Sequence, residues 1–490
     1  MRSALPILPL LLGFGGVASV LLLGRHPIPL RIVVWLFQFA ILAIVVLVLA
    51  RTWDGTILVH RAGGWQPPVG IAFVADRFSS VFGVTIATVS TAAVAYALLD
   101  AEAVPRQRVM ALFFMIQAGM YGAVFTGDLF NLYVFVELFG VSSYGLVAYR
   151  GQAPHVEAAL KYATLSLLAS VLMLMGIGSV YAQTGTLTLA ALHHASVGLA
   201  SPPLYLFSIA LVLVALTLKA ALFPLHFWLP DAHSIAPTAV SIVLSGAVVK
   251  VGGYGVLRVL FSHDPWLGGQ VGWVLLPLAA VTAVGAAWMA FGQSDLKRFL
   301  AYSTASQMGY VLAGGSLGTV AGIRAAVVYS VIHATTKASL FAVAGVAEGI
   351  YGDRRWDRMG GLAARSPLLT ATALVALLSL AGIPPLAGFS GKLAVFAALA
   401  AEGAWLSLFA LVVASLTILT AAGRIWLGMA GGAPKGARPR ASRSKLAVAA
   451  ALVFLVVLLG LGTGPLIDAG EAAAVQLLDG RAYRKAVLGP

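Results

Sequence analysis

The sequence contains no cysteine among its 490 residues. A disulfide scaffold, a thiolate metal site and a c-type haem attachment are therefore excluded. Charged residues are also scarce, because they make up 10% of the chain, whereas soluble domains carry about 25%. Hydrophobic residues account for 60% of the chain, and the mean hydropathy is +0.96. This composition predicts an integral membrane protein.

Nucleotide-binding signatures are absent as well, since neither a P-loop nor a dinucleotide fingerprint follows a predicted strand. We expect no cofactor. His226 and His233 could suggest a metal site, but no further ligands lie near them in sequence, so none is predicted. The net charge of +14 does not indicate that the protein binds nucleic acid. Basic cytoplasmic loops give a membrane protein the same excess of positive charge.

Long apolar runs bounded by charges, proline or glycine predict an all-α integral membrane protein with about 14 transmembrane helices. The whole chain, 1–490, forms a single membrane domain in this interpretation. The first run is interpreted as a retained span and not as a signal peptide, because no small-residue cleavage site precedes Arg25. The connection 51–77 contains two β-prone stretches separated by Gly and Pro pairs, which predicts a small β-hairpin on the outer side.

Basic residues orient the chain. They concentrate in alternate connections, above all in 352–365 and 431–445. Because cytoplasmic loops carry the Lys and Arg excess, these connections are predicted to be cytoplasmic. Both termini would then lie outside a bacterial or archaeal inner membrane.

Several ionisable residues fall inside predicted spans, where each costs about 2.5–3.5 kcal/mol on insertion scales. One such residue could be a structural charge, but several at mid-depth predict a function. His333 and Lys337 are four residues apart and share a helix face. The candidates are Glu137, Lys219, Lys250, His333, Lys337 and Lys392.

Proton transfer is the function that best explains this set. Burial disfavours the charged form of lysine, and a nearby carboxylate favours it, so a Glu137–Lys219 pair could load and release a proton. Lys250, His333 and Lys337 would continue the route, and Lys392 would end it. Polar residues at helical spacing could hold water along it, or could simply bond to neighbouring backbone. They are Ser245, Ser303, Ser306, Gln307 and Tyr310.

Two lysines lie next to predicted helix breaks. Pro224 follows Lys219, and Gly382, Pro384 and Pro385 precede Lys392. Breaks at corresponding places in two halves indicate an inverted-repeat transporter. The halves would be 107–260 and 270–428.

Six motifs carry a resemblance to a known family. The run Gly127–Leu138 (GDLFNLYVFVEL) resembles the fifth helix of the D-type component of Mrp (multisubunit Na⁺/H⁺) antiporters. The run Leu218–Thr238 (LKAALFPLHFWLPDAHSIAPT) is similar to a signature shared with the antiporter-like subunits of respiratory complex I. The remaining motifs are Gly246–Gly255, Asp295–Thr304, His333–Lys337 and Pro384–Lys392.

The resemblance implies fourteen helices with two inverted five-helix repeats, and proton transfer within a larger membrane complex. It matches Glu137 and Lys219 to the family's charge pair, and His226 and Lys250 to its central relay. His333 and Lys337 match the second half, and Lys392 the end of the route. The implied partners are other membrane subunits of a Mrp-type complex, the lipid bilayer, H⁺ and indirectly Na⁺. The chain would be a transporter subunit and not an enzyme by itself.

Two details argue against the neighbouring subfamilies. The A-type antiporter component and the longest complex I homologue carry long C-terminal extensions, which this chain lacks. The medium complex I homologue usually has Glu where Lys392 stands. The main alternative is a proton-pumping subunit of a redox complex, either a complex I-like NADH:quinone oxidoreductase or a membrane-bound hydrogenase. A scaffold with vestigial charges and a stand-alone carrier are further alternatives.

Overall fold

The structure is a computed structural model that describes residues 3–23, 26–67, 69–100, 106–199, 201–263, 265–432 and 442–489. Residues 433–441 of the basic connection 431–445 lie outside the described residues. Helices dominate the described chain, as the apolar runs predict. In chain order they are α1 Leu8–Leu23, α2 Pro27–Thr52, α3 Arg77–Leu98, α4 Arg106–Phe125, α5 Leu129–Ala148, α6 Ala153–Thr184, α7 Leu189–Ser196, α8 Pro202–Lys219, α9 Trp228–Ile235, α10 Thr238–Val243, α11 Val249–His263, α12 Pro265–Phe291, α13 Leu296–Ser316, α14 Val320–Tyr351, α15 Leu362–Arg365, α16 Pro367–Ala381, α17 Ala387–Ala401, α18 Trp405–Ala430, α19 Arg443–Leu461, α20 Gly464–Asp479 and α21 Arg481–Leu488.

Eleven helices within the described residues are long and apolar enough to cross a membrane, and α1, α16 and α17 are shorter apolar helices. The segment α13 is not among the eleven, because charged and polar residues interrupt its apolar sequence. The exact number of spans therefore stays a prediction. The two short helices α20 and α21 follow the last long one, and the apolar pattern did not predict them.

The connection between α2 and α3 contains an antiparallel hairpin of β1 Leu58–Arg61 and β2 Ala72–Ala75. Leu58 pairs with Ala75, and Arg61 pairs with Ala72. The C-terminal helices lie against this region, because the Arg61 guanidinium donates to the Val487 carbonyl at 3.0 Å. We call the end of the bundle that carries β1, β2, α20 and α21 the hairpin end.

Both predicted helix breaks are present. Helix α8 ends at Lys219, Ala221 has a φ of 58°, and the Phe223–Pro224 peptide is cis. Helix α16 ends at Gly382, whose φ of 88° suits a residue without a Cβ, and the Pro384–Pro385 peptide is cis. Proline cannot donate to the helix ladder, so both helices stop next to a lysine of the predicted route.

A third irregularity lies between α10 and α11, where Leu244–Val248 forms a π-turn. Such a turn widens the helix and alters the backbone hydrogen bonding. Two residues beyond it, Lys250 bends back and its ammonium donates to the Ser245 carbonyl. The π-turn thus supplies an oxygen for a buried lysine.

Candidate functional site

The first part of the site joins Glu137 on α5 to Lys219 at the end of α8. Lys219 is buried, whereas Glu137 is half-buried. The Lys219 ammonium donates to the Ser166 hydroxyl, and the Ser170 hydroxyl donates to the Glu137 carboxylate. Within the described residues, the two charged groups are thus linked through α6 and form no direct ion pair. Their charges still interact electrostatically.

Helix α5 shapes the space around Lys219. The Lys219 ammonium lies 5.7 Å from the centre of the Phe139 ring and 3.3 Å from the Tyr144 hydroxyl. A Cβ added at Gly140 would stand 2.9 Å from the Lys219 nitrogen. Glycine at this position therefore makes room for the lysine.

The second part connects the two predicted halves through α13. The Ser245 hydroxyl lies 2.7 Å from that of Thr304, and Thr304 donates to the Leu300 carbonyl at 2.8 Å. The Lys337 ammonium donates to the same carbonyl at 3.0 Å. Lys250 donates to the backbone carbonyl of Ser245, so Lys250 is connected to Lys337 through the backbone and side chain of Ser245, the Thr304 hydroxyl and the Leu300 carbonyl. Lys337 also donates to the Ser303 hydroxyl, which places one of the predicted polar residues on this route.

His333 lies at the centre of the buried charges. It interacts electrostatically with Lys250, Lys337 and Lys392. Its ring is buried and stacks on Tyr329 at 5.9 Å, yet within the described part of the chain neither ring nitrogen has a hydrogen-bond partner. The Tyr329 hydroxyl donates to the Gln307 side-chain oxygen, so this second predicted polar residue also lies beside the route.

Lys392 lies at the second helix break and is the last of the row of buried ionisable residues formed by Glu137, Lys219, Lys250, His333, Lys337 and Lys392. Its ammonium donates to the Ala381 carbonyl and to the Ser415 hydroxyl, each at 2.9 Å. It also lies 5.3 Å from the centre of the Tyr310 ring. The carbonyl freed where α16 ends is therefore occupied by the lysine itself. All four lysines of the row are at most 3% exposed.

Other predicted residues have different surroundings. Nε2 of His226 lies 3.4 Å from the Met289 sulfur, and the ring packs against Tyr302. The Ser306 hydroxyl donates to the Ala283 carbonyl at 2.8 Å, and the Tyr310 hydroxyl donates to a backbone carbonyl of α18. Both hydroxyls thus bond to neighbouring backbone, which was the alternative to holding water.

Residues 126–418 match the family described as NADH:quinone oxidoreductase/Mrp antiporter, TM. The chain belongs to this family. The matched residues include every ionisable residue of the row, from Glu137 to Lys392.

Individual relatives come from both branches of this antiporter family. The D-type component of a Na⁺/H⁺ antiporter from Alkalihalophilus pseudofirmus is 32% identical, with 99% of this chain and 99% of that protein covered. The N-type component of an NADH-quinone oxidoreductase from Desulforudis audaxviator is 34% identical, with 94% of this chain and 95% of that protein covered. A chain in the structure of the Mrp complex from Dietzia sp. DQ12-45-1b has a TM-score of 0.93 and is 29% identical, with 99% of this chain and 100% of that chain covered. The predicted all-α membrane fold and family are thereby confirmed.

Sequence reasoning missed several hydroxyl residues of this site, among them Ser166, Ser170 and Thr304. Ser166 and Ser170 stand four residues apart on α6, and this spacing was an available signal because it places both on one helix face. Thr304 directly follows the predicted Ser303. Nothing in the sequence shows which of these neighbouring hydroxyls bonds to Ser245.

His233 is another residue that sequence reasoning did not place on the route. It is fully buried and stacks on Phe341 at 4.7 Å, and neither ring nitrogen is hydrogen-bonded to any residue that the structure describes. It interacts electrostatically with Lys337, Lys250 and Lys297. The sequence singled His233 out only as a possible metal ligand.

Proposed function

We propose that this chain is the D-type, proton-translocating component of a Mrp-type multisubunit Na⁺/H⁺ antiporter. Protons move along buried Glu, Lys and His residues and through water between them. The similarity to the D-type component of a Na⁺/H⁺ antiporter and to a chain of a Mrp complex supports this assignment. Other membrane subunits of the complex are the partners. The assembled complex couples sodium movement to the proton movement through this chain.

One observation carries the proposal, namely that Ser245, Thr304 and the Leu300 carbonyl join the buried Lys250 and Lys337 in one polar cluster across α13. Because the two backbone carbonyls only accept hydrogen bonds, water completes the proton path between the lysines in this proposal. Both lysines donate to neutral oxygens. A buried ammonium without a carboxylate partner is costly, so the neutral amine is accessible to each lysine. Such groups can accept and release a proton, which a permanent ion pair would prevent.

Histidine and water complete the route in this proposal. Buried polar groups are nearly always hydrogen-bonded to protein or to ordered water. The two unbonded nitrogens of His333 therefore call for water between it and the lysines. A neutral imidazole can accept a proton at one nitrogen and release one from the other, so His333 can pass protons between Lys337 and Lys392.

The chain lies in a bacterial or archaeal inner membrane with both termini outside. Support comes from the basic connections 352–365 and 431–445, which would face the cytoplasm. The hairpin end is then the outer end. The inverted halves 107–260 and 270–428 each contain one helix break beside a lysine.

The proposal is tested by reconstituting the purified complex into liposomes and following the internal pH after a sodium pulse. We expect Glu137→Ala and Lys219→Ala to abolish sodium-dependent proton movement, because each removes one partner of the charge pair. Lys161→Ala is the matched control, since this lysine is largely exposed and pairs with Glu157 on the surface. Wild-type exchange in both site variants would refute the assignment.

A redox-driven proton pump is the second candidate, because the NADH-quinone oxidoreductase relative is 34% identical over 94% of this chain. Affinity purification of the intact complex separates the two functions. Small hydrophobic antiporter subunits in the purified complex support the first. Iron–sulfur subunits, together with proton movement that follows electron flow and ignores sodium, support the second.

A further inference from the structure

A buried ion pair lies in line with Lys250 at the hairpin end of α11. Lys250, Tyr254 and Arg258 follow each other at intervals of four residues and so share one helix face. Each interval spans about 6 Å along the axis. The three residues therefore form a row from the middle of the bundle to the hairpin end, where Arg258 meets Asp76.

Every nitrogen of the Arg258 guanidinium is bonded. Nη1 and Nη2 each donate to one Asp76 oxygen at 2.7 Å, and Nε donates to the Tyr254 hydroxyl at 2.9 Å. The Tyr254 hydroxyl in turn donates to the Val124 carbonyl at 2.6 Å. The Arg258 and Asp76 side chains are only 5% and 3% exposed, so the pair is closed to solvent.

Aromatic rings cover the guanidinium. Its carbon lies 5.1 Å from the centre of the Phe78 ring, 5.3 Å from Tyr254 and 5.5 Å from Tyr483. Tyr483 belongs to the C-terminal helix α21 and is buried. The Gln476 side chain ties the adjoining α20 down, because it donates to the Gly55 carbonyl at 2.9 Å and accepts from the Arg77 amide at 2.9 Å. The C-terminal segment is thus fixed over the ion pair.

The chemistry of the three side chains differs in one decisive respect. A buried lysine can give up its proton, whereas arginine keeps its charge in proteins. The Tyr254 hydroxyl has its proton engaged with a backbone carbonyl and its oxygen engaged with Arg258. Among the described residues of this face of α11, neither Tyr254 nor Arg258 can therefore take up a proton from Lys250 and pass it on toward the hairpin end.

We propose that Asp76, Arg258 and Tyr254, covered by Tyr483, form a proton barrier that separates Lys250 from solvent at the hairpin end. The barrier leaves the Ser245–Thr304 connection as the way out of Lys250, so protons pass toward Lys337. This inference rests on the proposed function and adds a direction to it. It assigns Arg258 a positioning role and makes the C-terminal helix part of the barrier.

The test is passive proton flux through the intact complex in liposomes, driven by a potassium diffusion potential in the absence of sodium. Arg258→Lys keeps the positive charge but replaces the planar guanidinium, which bonds to both Asp76 oxygens and to Tyr254, with a single ammonium that, unlike a guanidinium, can release its proton. We expect passive flux to rise several-fold. Arg324→Lys is the matched control, because Arg324 pairs with Glu471 at the same end but is substantially exposed. It should leave the flux at the wild-type level.

Three further variants distinguish proton transfer through Lys250 from a leak caused by general loosening of the packing. Tyr483→Ala uncovers the guanidinium without changing the ion pair, and we expect it to raise the flux as well. If the complex with Arg258→Lys does not assemble, the Tyr483→Ala complex is used to test the barrier. Adding Lys250→Ala to either variant should return the flux to the wild-type level, because the leak passes through Lys250.

A flux that stays at the wild-type level in assembled Arg258→Lys and Tyr483→Ala complexes overturns the barrier. A leak that persists after Lys250→Ala overturns it too, because the protons then bypass the lysine. Sodium-driven exchange is measured separately on the same preparations. Failure of the antiporter assignment would appear in that exchange assay and not in the passive flux.

Discussion

Lys219, Lys250, Lys337 and Lys392 differ from Arg258 and Lys297, which are also buried, in their hydrogen-bond partners. Lys219, Lys250 and Lys392 donate to hydroxyls and carbonyls. Arg258 and Lys297, by contrast, are paired with the carboxylates of Asp76 and Glu348. A carboxylate in direct contact favours the charged form, whereas neutral oxygens accept a hydrogen bond from either form of the amine. The choice of partner thus separates residues that can exchange protons from residues that hold the bundle together.

Ser166→Ala tests this choice at a single hydroxyl. The change removes the oxygen that accepts from Lys219 and breaks the connection to Glu137. A hydrogen bond to a charged group contributes about 1.5–3 kcal/mol, and a loss of that size in the rate-limiting step lowers the rate about 10- to 100-fold. Sodium-driven proton movement should fall accordingly. Ser142→Ala is the control, since its hydroxyl bonds only to the Leu138 carbonyl within α5. Equal rates in the two variants would contradict the proposed link.

Gly382→Ala tests the second helix break. The φ of 88° disfavours any residue with a Cβ, and an added Cβ would stand 2.8 Å from Cδ of Lys392. We expect a loss of about 1–3 kcal/mol in stability, together with slower transport because Lys392 is displaced. Thermal unfolding of the purified complex measures the first effect. Gly423→Ala on α18 is the control, because nothing lies within 4 Å of its added Cβ. An unchanged melting temperature for Gly382→Ala would argue against the strain.

At the scale of elements, the helices and their breaks could be predicted, but their finer irregularities could not. Apolar runs and prolines are local signals, so α8, α16 and both breaks followed from the sequence. The π-turn at Leu244–Val248 has no proline and no distinctive pattern. Helices α20 and α21 are short and lack a long apolar run, and they are held in place by contacts with the distant hairpin region.

Helix α13 offers a test of which polar residues belong to the route. Thr304 faces Ser245, whereas Ser306 donates to the Ala283 carbonyl on α12. Thr304→Ala should slow sodium-driven proton movement by about tenfold, the effect expected for roughly 1.4 kcal/mol. Ser306→Ala removes one helix–helix hydrogen bond and should cost about 1 kcal/mol of stability with little change in transport. Rates and melting temperatures of the two variants, measured side by side, check this contrast. A reversed pattern would remove Thr304 from the route.

At the scale of the whole molecule, the sequence predicted which residues matter better than how they connect. An ionisable residue within an apolar run can be recognised from the sequence alone. Its high cost of membrane insertion singled out Glu137, the four lysines and His333. Their connections depend on which helices pack together. Ser166, Ser170 and Thr304 acquire their partners only in the folded bundle. The spacing of Ser166 and Ser170 places them on one helix face, but it does not show which residues they bond to.

The connection between Lys250 and Lys337 predicts that the two halves conduct in series. If one route crosses both lysines, Lys250→Ala and Lys337→Ala should each abolish sodium-driven proton movement, and the double variant should be no worse than either single one. Two independent routes would instead leave about half of the transport in each single variant, and only the double variant would be inactive. Residues that act in one pathway show this kind of non-additivity. Exchange rates of the three variants in liposomes, normalised to the amount of assembled complex, decide between the two arrangements. Substantial residual transport in either single variant would show that α13 does not link the halves.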